Sequence, residues 1–274
     1  MIKSKKHLAS LLNTSWAKLE LLCSNIDKYY YIAKKVDLDD DGNPIIGKDG
    51  KPKIRILNPS VGELKDIQNL INVRILRTIK ISDVAYGGVK GKDNVKNSKR
   101  HLGKKFKFVT DLKKCFPNIN SGMVYKALIK NNFSPDTAGM LTKLTTYKNQ
   151  LPQGAKTSTY ICNIVMQTLD FKMEAICEPL GITYTRFVDD LTFSSQTDFK
   201  EITLSMIDVI VSEGHKVSHK KTSYAIGSTM ITGNRVNNNY QTISDKLKNK
   251  IIHPEKYTPK QIKGQLQYAS RVMD

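Results

Sequence analysis

Two aspartates stand side by side in the run Ile182-Thr-Tyr-Thr-Arg-Phe-Val-Asp-Asp-Leu-Thr-Phe-Ser194, and apolar residues alternate on either side of them. The alternation reads as strand, tight turn, strand, with Asp189 and Asp190 at the turn, where side chains project past the sheet. Asp is a common turn residue, but adjacent carboxylates repel each other and cost stability unless a cation compensates. A third acid, Asp111, ends the apolar run Phe106-Lys-Phe-Val-Thr. If that strand lies beside the hairpin, the acids meet across one sheet edge. Such an all-oxygen set suits Mg2+ or Mn2+. Two ions ~3.5–4 Å apart would activate a hydroxyl nucleophile and stabilise a leaving pyrophosphate during in-line displacement.

The charge balance points the same way. Forty-four Lys and Arg against 25 Asp and Glu leave a formal +19. That excess repels itself, and a polyanion relieves it. Nucleic acid is the favoured partner, with salt-dependent affinity; the alternatives are a basic surface kept for solubility or one facing an anionic membrane. The chain has 274 residues, 39% hydrophobic and 25% charged, as expected of a globular protein with a sizeable core. No run approaches the ~18 apolar residues of a membrane helix. Met1 to Leu12 lacks a long apolar region, so no secretory leader is expected and the location is read as cytoplasmic. Cys23, Cys115, Cys162 and Cys177 have no zinc-ligand spacing and read as buried, reduced thiols.

Residues 1–32 read as short amphipathic helices and 36–58 as a β-hairpin. Within the hairpin, Asp37, Asp39, Asp41 and Gly42 imitate the start of a calcium loop, but its twelfth position is Lys48, so calcium is rejected. A helical pattern over 61–80 leads to a glycine- and lysine-rich loop, Tyr86 to Lys105, and then the strand ending at Asp111. Helices are predicted near 121–131 and 135–147, the second opened by Ser134-Pro135. A long helix follows over 157–177, and another over 199–213 stops at Gly214. Strands continue to Val236. Thr258, Pro259 and Gln261 open a last helix with a capping box. The mixture is α+β, with a small helical C-terminal piece.

Five segments then carry a resemblance. Phe108-Val-Thr-Asp-Leu-Lys-Lys-Cys-Phe116 resembles motif A of reverse transcriptases, Leu151-Pro-Gln-Gly-Ala-Lys-Thr-Ser158 motif B, and Phe187-Val-Asp-Asp190 motif C. His219-Lys-Lys-Thr222 resembles motif D, and Ile231-Thr-Gly-Asn-Arg-Val-Asn237 the primer-grip hairpin. All stand in family order, and the likeness spans residues 8–273. Asn97-Ser-Lys-Arg-His101 is similar to the Asn-Ala-x-x-His element of bacterial retron reverse transcriptases, and Ile231-Thr-Gly233 to their Val-Thr-Gly element.

The resemblance implies a right-hand polymerase fold. Fingers with N-terminal helices would cover 1–105, and a palm, an antiparallel sheet packed on helices, would cover 106–236, with part of the fingers at 121–155. A short or truncated thumb would occupy 237–274. Relatives typically continue with further thumb helices, so the thumb is minimal, completed by a partner, or truncated. The implied activity is RNA-directed DNA synthesis from dNTPs with two Mg2+ ions, Mn2+ serving as well. It would copy a structured non-coding RNA into DNA, in phage defence beside an effector or toxin protein and away from any membrane. The alternatives are a non-retron defence or group II intron-like reverse transcriptase, and a catalytically silent RNA-binding scaffold.

Residue by residue, the resemblance assigns both metals to Asp111 and Asp189, with Asp190 in support and the Leu112 carbonyl completing a site. Phe116 would be the steric gate against a 2′-hydroxyl, or else a core residue before Pro117. Gln153 and Gly154 would line the nucleotide pocket. Lys221, or its neighbour Lys220, would stand near the pyrophosphate as proton donor. Lys53 and Arg55 would clamp the triphosphate, although the family's basic position, five before Pro59, falls on Ile54 here. His101, Thr232 and Gly233 would contact RNA or primer. The basic loop Lys90 to Lys105 is either an RNA site or a solvated loop.

Overall fold

The computed structural model describes residues 2–39, 42–47 and 49–274. Asp41 and Lys48 of the rejected calcium pattern lie outside the described residues. Ser4 and Ser15 cap the first two helices, α1 (Lys5–Leu11) and α2 (Trp16–Ser24), by accepting from the N–H groups of His7 and Lys18. Strands β1 (Ala33–Val36) and β2 (Ile54–Leu57) pair antiparallel, and the bridges Leu38–Pro44 and Ile46–Pro52 continue the ribbon, as the hairpin pattern predicts. The 61–80 pattern becomes α3 (Gly62–Leu70), a π-helical turn over Ile71–Ile75 and a 3-10 turn over Leu76–Thr78. The basic segment expected as a loop holds a helix, α4 (Asn94–Lys99). Asp93 caps it through the Lys96 N–H, and Val95, Asn97 and Ser98 turn inward.

The chain continues through β3 (Phe106–Asp111), α5 (Cys115–Asn118), α6 (Ser121–Lys130), α7 (Pro135–Thr145) and α8 (Ser158–Cys177). Next come β4 (Thr183–Phe187), β5 (Asp190–Ser195), α9 (Thr203–Ser212) and β6 (Ser223–Ile226). The last elements are β7 (Thr229–Ile231), β8 (Asn234–Val236), β9 (Gln241–Ile243), α10 (Asp245–Ile252) and α11 (Pro259–Met273). Thr258 and Gln261 form the predicted capping box at the start of α11.

Two compact units emerge, Met1–Ile81 with Lys114–Gln167, and Ser82–Lys113 with Thr168–Asp274; α8 contributes to both. The first unit packs helices around Leu8, Leu12, Leu19, Leu64, Leu141 and Leu144, all nearly inaccessible. Its buried Gln68 accepts from the Ser60 hydroxyl at 2.7 Å and donates to the Tyr30 hydroxyl and the Leu144 carbonyl, so none of its polar atoms is stranded.

The second unit is built on an antiparallel sheet of order β4-β5-β3-β6, with a smaller sheet β7-β8-β9. Its register puts Tyr184, Phe193, Phe108 and Tyr224 in one row across all four strands. Tyr184 stacks on Phe193 at 4.8 Å between centroids, and Phe193 on Phe108 at 5.6 Å. This aromatic face meets α8, where the Tyr184 hydroxyl donates to Asp170. Because side chains alternate along a strand, the opposite face carries Thr185, Thr192, Ser194 and, at its end, Asp190 and Asp111. In the same unit, Ala269 and Val272 of α11 bury against Val95 of α4 and Ile243 of β9. Among the described residues, no helix is long and apolar enough to cross a membrane.

Candidate metal centre

The ladder between β3 and β5 sets Asp111 directly opposite Asp190. A slip of one residue would turn either acid onto the aromatic face. Asp189 joins them from the β4–β5 turn, and carboxylate oxygens of the three lie within 4.8 Å of one another. Backbone bonds hold the segments together. The Leu112 N–H donates to the Asp189 carbonyl at 2.9 Å, and the Ser218 N–H to the Asp111 carbonyl at 2.8 Å. The turn itself is strained: Val188 has φ of 60°, a left-handed conformation that costs a β-branched residue about 1–3 kcal/mol. Gly87 lies against it so closely that a Cβ there would fall 2.5 Å from Val188 Cγ2 and 2.6 Å from the Val188 nitrogen. Only glycine fits.

Burial pushes the Asp190 carboxyl up to about 7, with the charges of Asp189 and Asp111 adding to the effect and Lys221 opposing it. Lys221 Nζ donates to Asp111 Oδ2 at 2.7 Å. Burial pulls that ammonium down, but its hydrogen bond to Asp111 and the neighbouring carboxylates outweigh burial and raise it. Of the two lysines left open by the sequence, Lys221 is the one hydrogen-bonded to the acid cluster. The cluster therefore concentrates negative charge on oxygen donors in a chain otherwise strongly basic. That donor set fits hard divalent cations.

Other expected site residues lie as follows. Leu112 is buried beside Asp111. His101 is corrected: its ring is wholly buried, with Nδ1 on the Ser194 hydroxyl and Nε2 on the Thr185 hydroxyl, both at 2.7 Å. It braces the polar face of the sheet and offers no surface to RNA. Thr232 and Gly233 form the β7–β8 turn, with φ of 45° and 88°. Asn94 Nδ2 donates to the Thr232 carbonyl, and Asn97 Nδ2 to its hydroxyl. The two short retron-like elements thus touch.

Phe116, Gln153, Gly154, Lys53 and Arg55 all belong to the first unit. Phe116 is half-buried in α5 and not a closed core residue. The Gln153 carbonyl accepts from the Asn58 N–H at 2.8 Å, and Gly154, at φ of 98°, lies beside Pro59. Lys53 and Arg55 are exposed; Arg55 pairs with Asp37 at 3.2 Å. Sequence reasoning missed Arg186, Asp170 and Gly87. A signal existed for the first two, an unlike pair of charges set at apolar positions of β4 and α8. Gly87 gave none beyond its type.

Residues 46–263 match the family described as reverse transcriptase (RNA-dependent DNA polymerase). The chain belongs to the reverse transcriptase family. It is 30% identical over 177 residues to the retron Ec86 reverse transcriptase of Escherichia coli, covering 64% of this chain and 55% of that one. It is 32% identical over 155 residues to the retron Se72 reverse transcriptase of Salmonella heidelberg, covering 56% and 40%. The likeness is therefore to retron-type members, and the chain spans about half the length of these relatives. Among solved structures, the telomerase of Candida albicans superimposes with a TM-score of 0.55 at 12% identity, covering 84% of this chain and 56% of that one. The fold is that of a reverse transcriptase polymerase, α+β as expected.

Proposed function

We propose that this chain is an RNA-directed DNA polymerase of the retron type, with Asp111, Asp189 and Asp190 as its metal-binding acids. The observation that carries the proposal is their convergence at one end of the polar sheet face, with oxygens within 4.8 Å of one another. Two Mg2+ ions, or Mn2+ in their place, would supply the positive charge that activates a 3′-hydroxyl and neutralises a leaving pyrophosphate. Asp111 and Asp189 would hold both ions, Asp190 would support them, and the Leu112 carbonyl would complete a site. Lys221, hydrogen-bonded to Asp111 at 2.7 Å, is the candidate to deliver a proton to the pyrophosphate.

By motif, Phe116 would exclude the 2′-hydroxyl, Gln153 and Gly154 would contact the incoming dNTP, and Lys53 and Arg55 would bind its triphosphate. Thr232 and Gly233 would meet primer or RNA. The template would be a structured non-coding RNA, for which the +19 charge provides affinity. The DNA product would act with an effector or toxin protein in phage defence, in the cytoplasm.

Primer extension with Mg2+ tests the proposal. Asp189→Asn should abolish dNTP incorporation while leaving the fold and RNA binding intact. Undiminished synthesis by the folded variant would refute it. RNA binding without synthesis by the unsubstituted chain would favour a scaffold.

A further inference from the structure

Arg186 and Asp170 form an ion pair with no exposed side-chain surface. Asp170 Oδ1 accepts from Arg186 Nε at 2.8 Å and from the Tyr184 hydroxyl at 2.9 Å, and Oδ2 accepts from Nη2 at 2.7 Å. Stability alone does not call for such a pair. Its desolvation is costly, and apolar residues of similar volume often serve as well or better. What apolar residues cannot do is aim a donor. With the guanidinium plane fixed by the two-pronged contact, Nη1 donates to the Val188 carbonyl at 3.0 Å.

That carbonyl belongs to the strained residue of the β4–β5 turn. Three more constraints act on the same segment. The Arg186 N–H donates to the Val84 carbonyl, the Tyr86 N–H donates to the Arg186 carbonyl, and Gly87 closes against Val188. The next peptide along, between Asp189 and Asp190, presents the Asp189 carbonyl to the Leu112 N–H. A chain of contacts thus runs from α8 through Arg186 to the turn and on to the strand of Asp111.

We infer that Arg186, oriented by Asp170, is a positioning residue that holds Val188 in its left-handed conformation and so keeps Asp189 and Asp190 converged on Asp111. This rests on the metal-binding role proposed above. Arg186 touches no reacting atom; it acts through the turn.

Direct Mn2+ binding to the whole chain, followed by electron paramagnetic resonance, tests the assignment without requiring turnover. Unsubstituted protein should bind Mn2+ more tightly than Asp189→Asn; equal binding would overturn the metal reading on which this inference rests. Given that difference, Arg186→Lys keeps the positive charge but loses the third arm. It should weaken Mn2+ binding about tenfold, with a thermal midpoint that shows the protein still folded. The paired variant Arg186→Met with Asp170→Leu should be folded and equally weak for Mn2+. In primer extension both should lower kcat with little change in KM for dNTP.

Adding Val188→Gly to Arg186→Lys should restore much of the Mn2+ affinity, because glycine adopts the left-handed conformation without a clamp. A core-filling role for Arg186 predicts no such rescue. Unchanged Mn2+ affinity in either folded Arg186 variant, or failure of Val188→Gly to rescue, would overturn the inference.

Discussion

Replacing His101 with glutamine should flatten the acid side of the stability profile by a calculable amount. Burial holds the His101 imidazole at about 3, far below its usual 6.5, with Lys107, Arg100 and Lys104 lowering it further. The folded protein therefore keeps the ring neutral while the unfolded chain protonates it. The stabilisation is complete above pH 6.5 and is lost as pH falls from there towards 3. One proton taken up by the unfolded state alone gives a slope approaching ~1.4 kcal/mol per pH unit, which integrates to about 2 kcal/mol between pH 7 and pH 5. The His101→Gln protein would lack that contribution. The lost ring hydrogen bonds to Ser194 and Thr185 would add an offset of about 1–3 kcal/mol that does not depend on pH. His215 is also lowered by burial and slopes in the same direction, so the difference between the two proteins isolates His101. Guanidinium melts at pH 7 and pH 5, at constant salt, give the four free energies. The gap between variant and parent should shrink by about 2 kcal/mol at the lower pH. A gap equal at both pH values would mean that His101 is not held neutral in the fold, and the bracing role would go with it.

Two further outcomes follow from the site. Gly87→Ala must displace Val188, since the added methyl would fall 2.5 Å from its Cγ2; metal-dependent primer extension should drop at least tenfold in protein that circular dichroism shows to be folded, and full activity would deny the close approach. Phe116→Val should admit ribonucleotides, read as the ratio of rNTP to dNTP incorporation; an unaltered ratio would remove Phe116 from the gate.

Local chemistry made much of this molecule legible in advance. Ser134 ahead of Pro135, and Thr258 with Gln261, mark helix starts because the partners they satisfy lie within one turn. The alternation around Asp189-Asp190 announces a hairpin because period two is a property of the strand itself. The acids and their candidate chemistry were visible as residue types at the ends of such strands. The basic run at 86–105 misled, because its lysines mask the inward stripe of Val95, Asn97 and Ser98 that makes α4 a helix.

What remained was decided by register and burial. Nothing in the order of residues says that Asp111 stands opposite Asp190 and not one place away, or that His101 turns inward to Ser194 and Thr185. Nor does it say that Arg186 finds Asp170 on α8 and spends its third arm on the Val188 carbonyl. The Asp111 and His101 contacts join segments far apart in the chain, and the Arg186 contacts depend on how β4 packs on α8. Propensity acts over a few residues, whereas which buried charge meets which partner is settled only when whole elements pack and every polar group taken out of water must be satisfied.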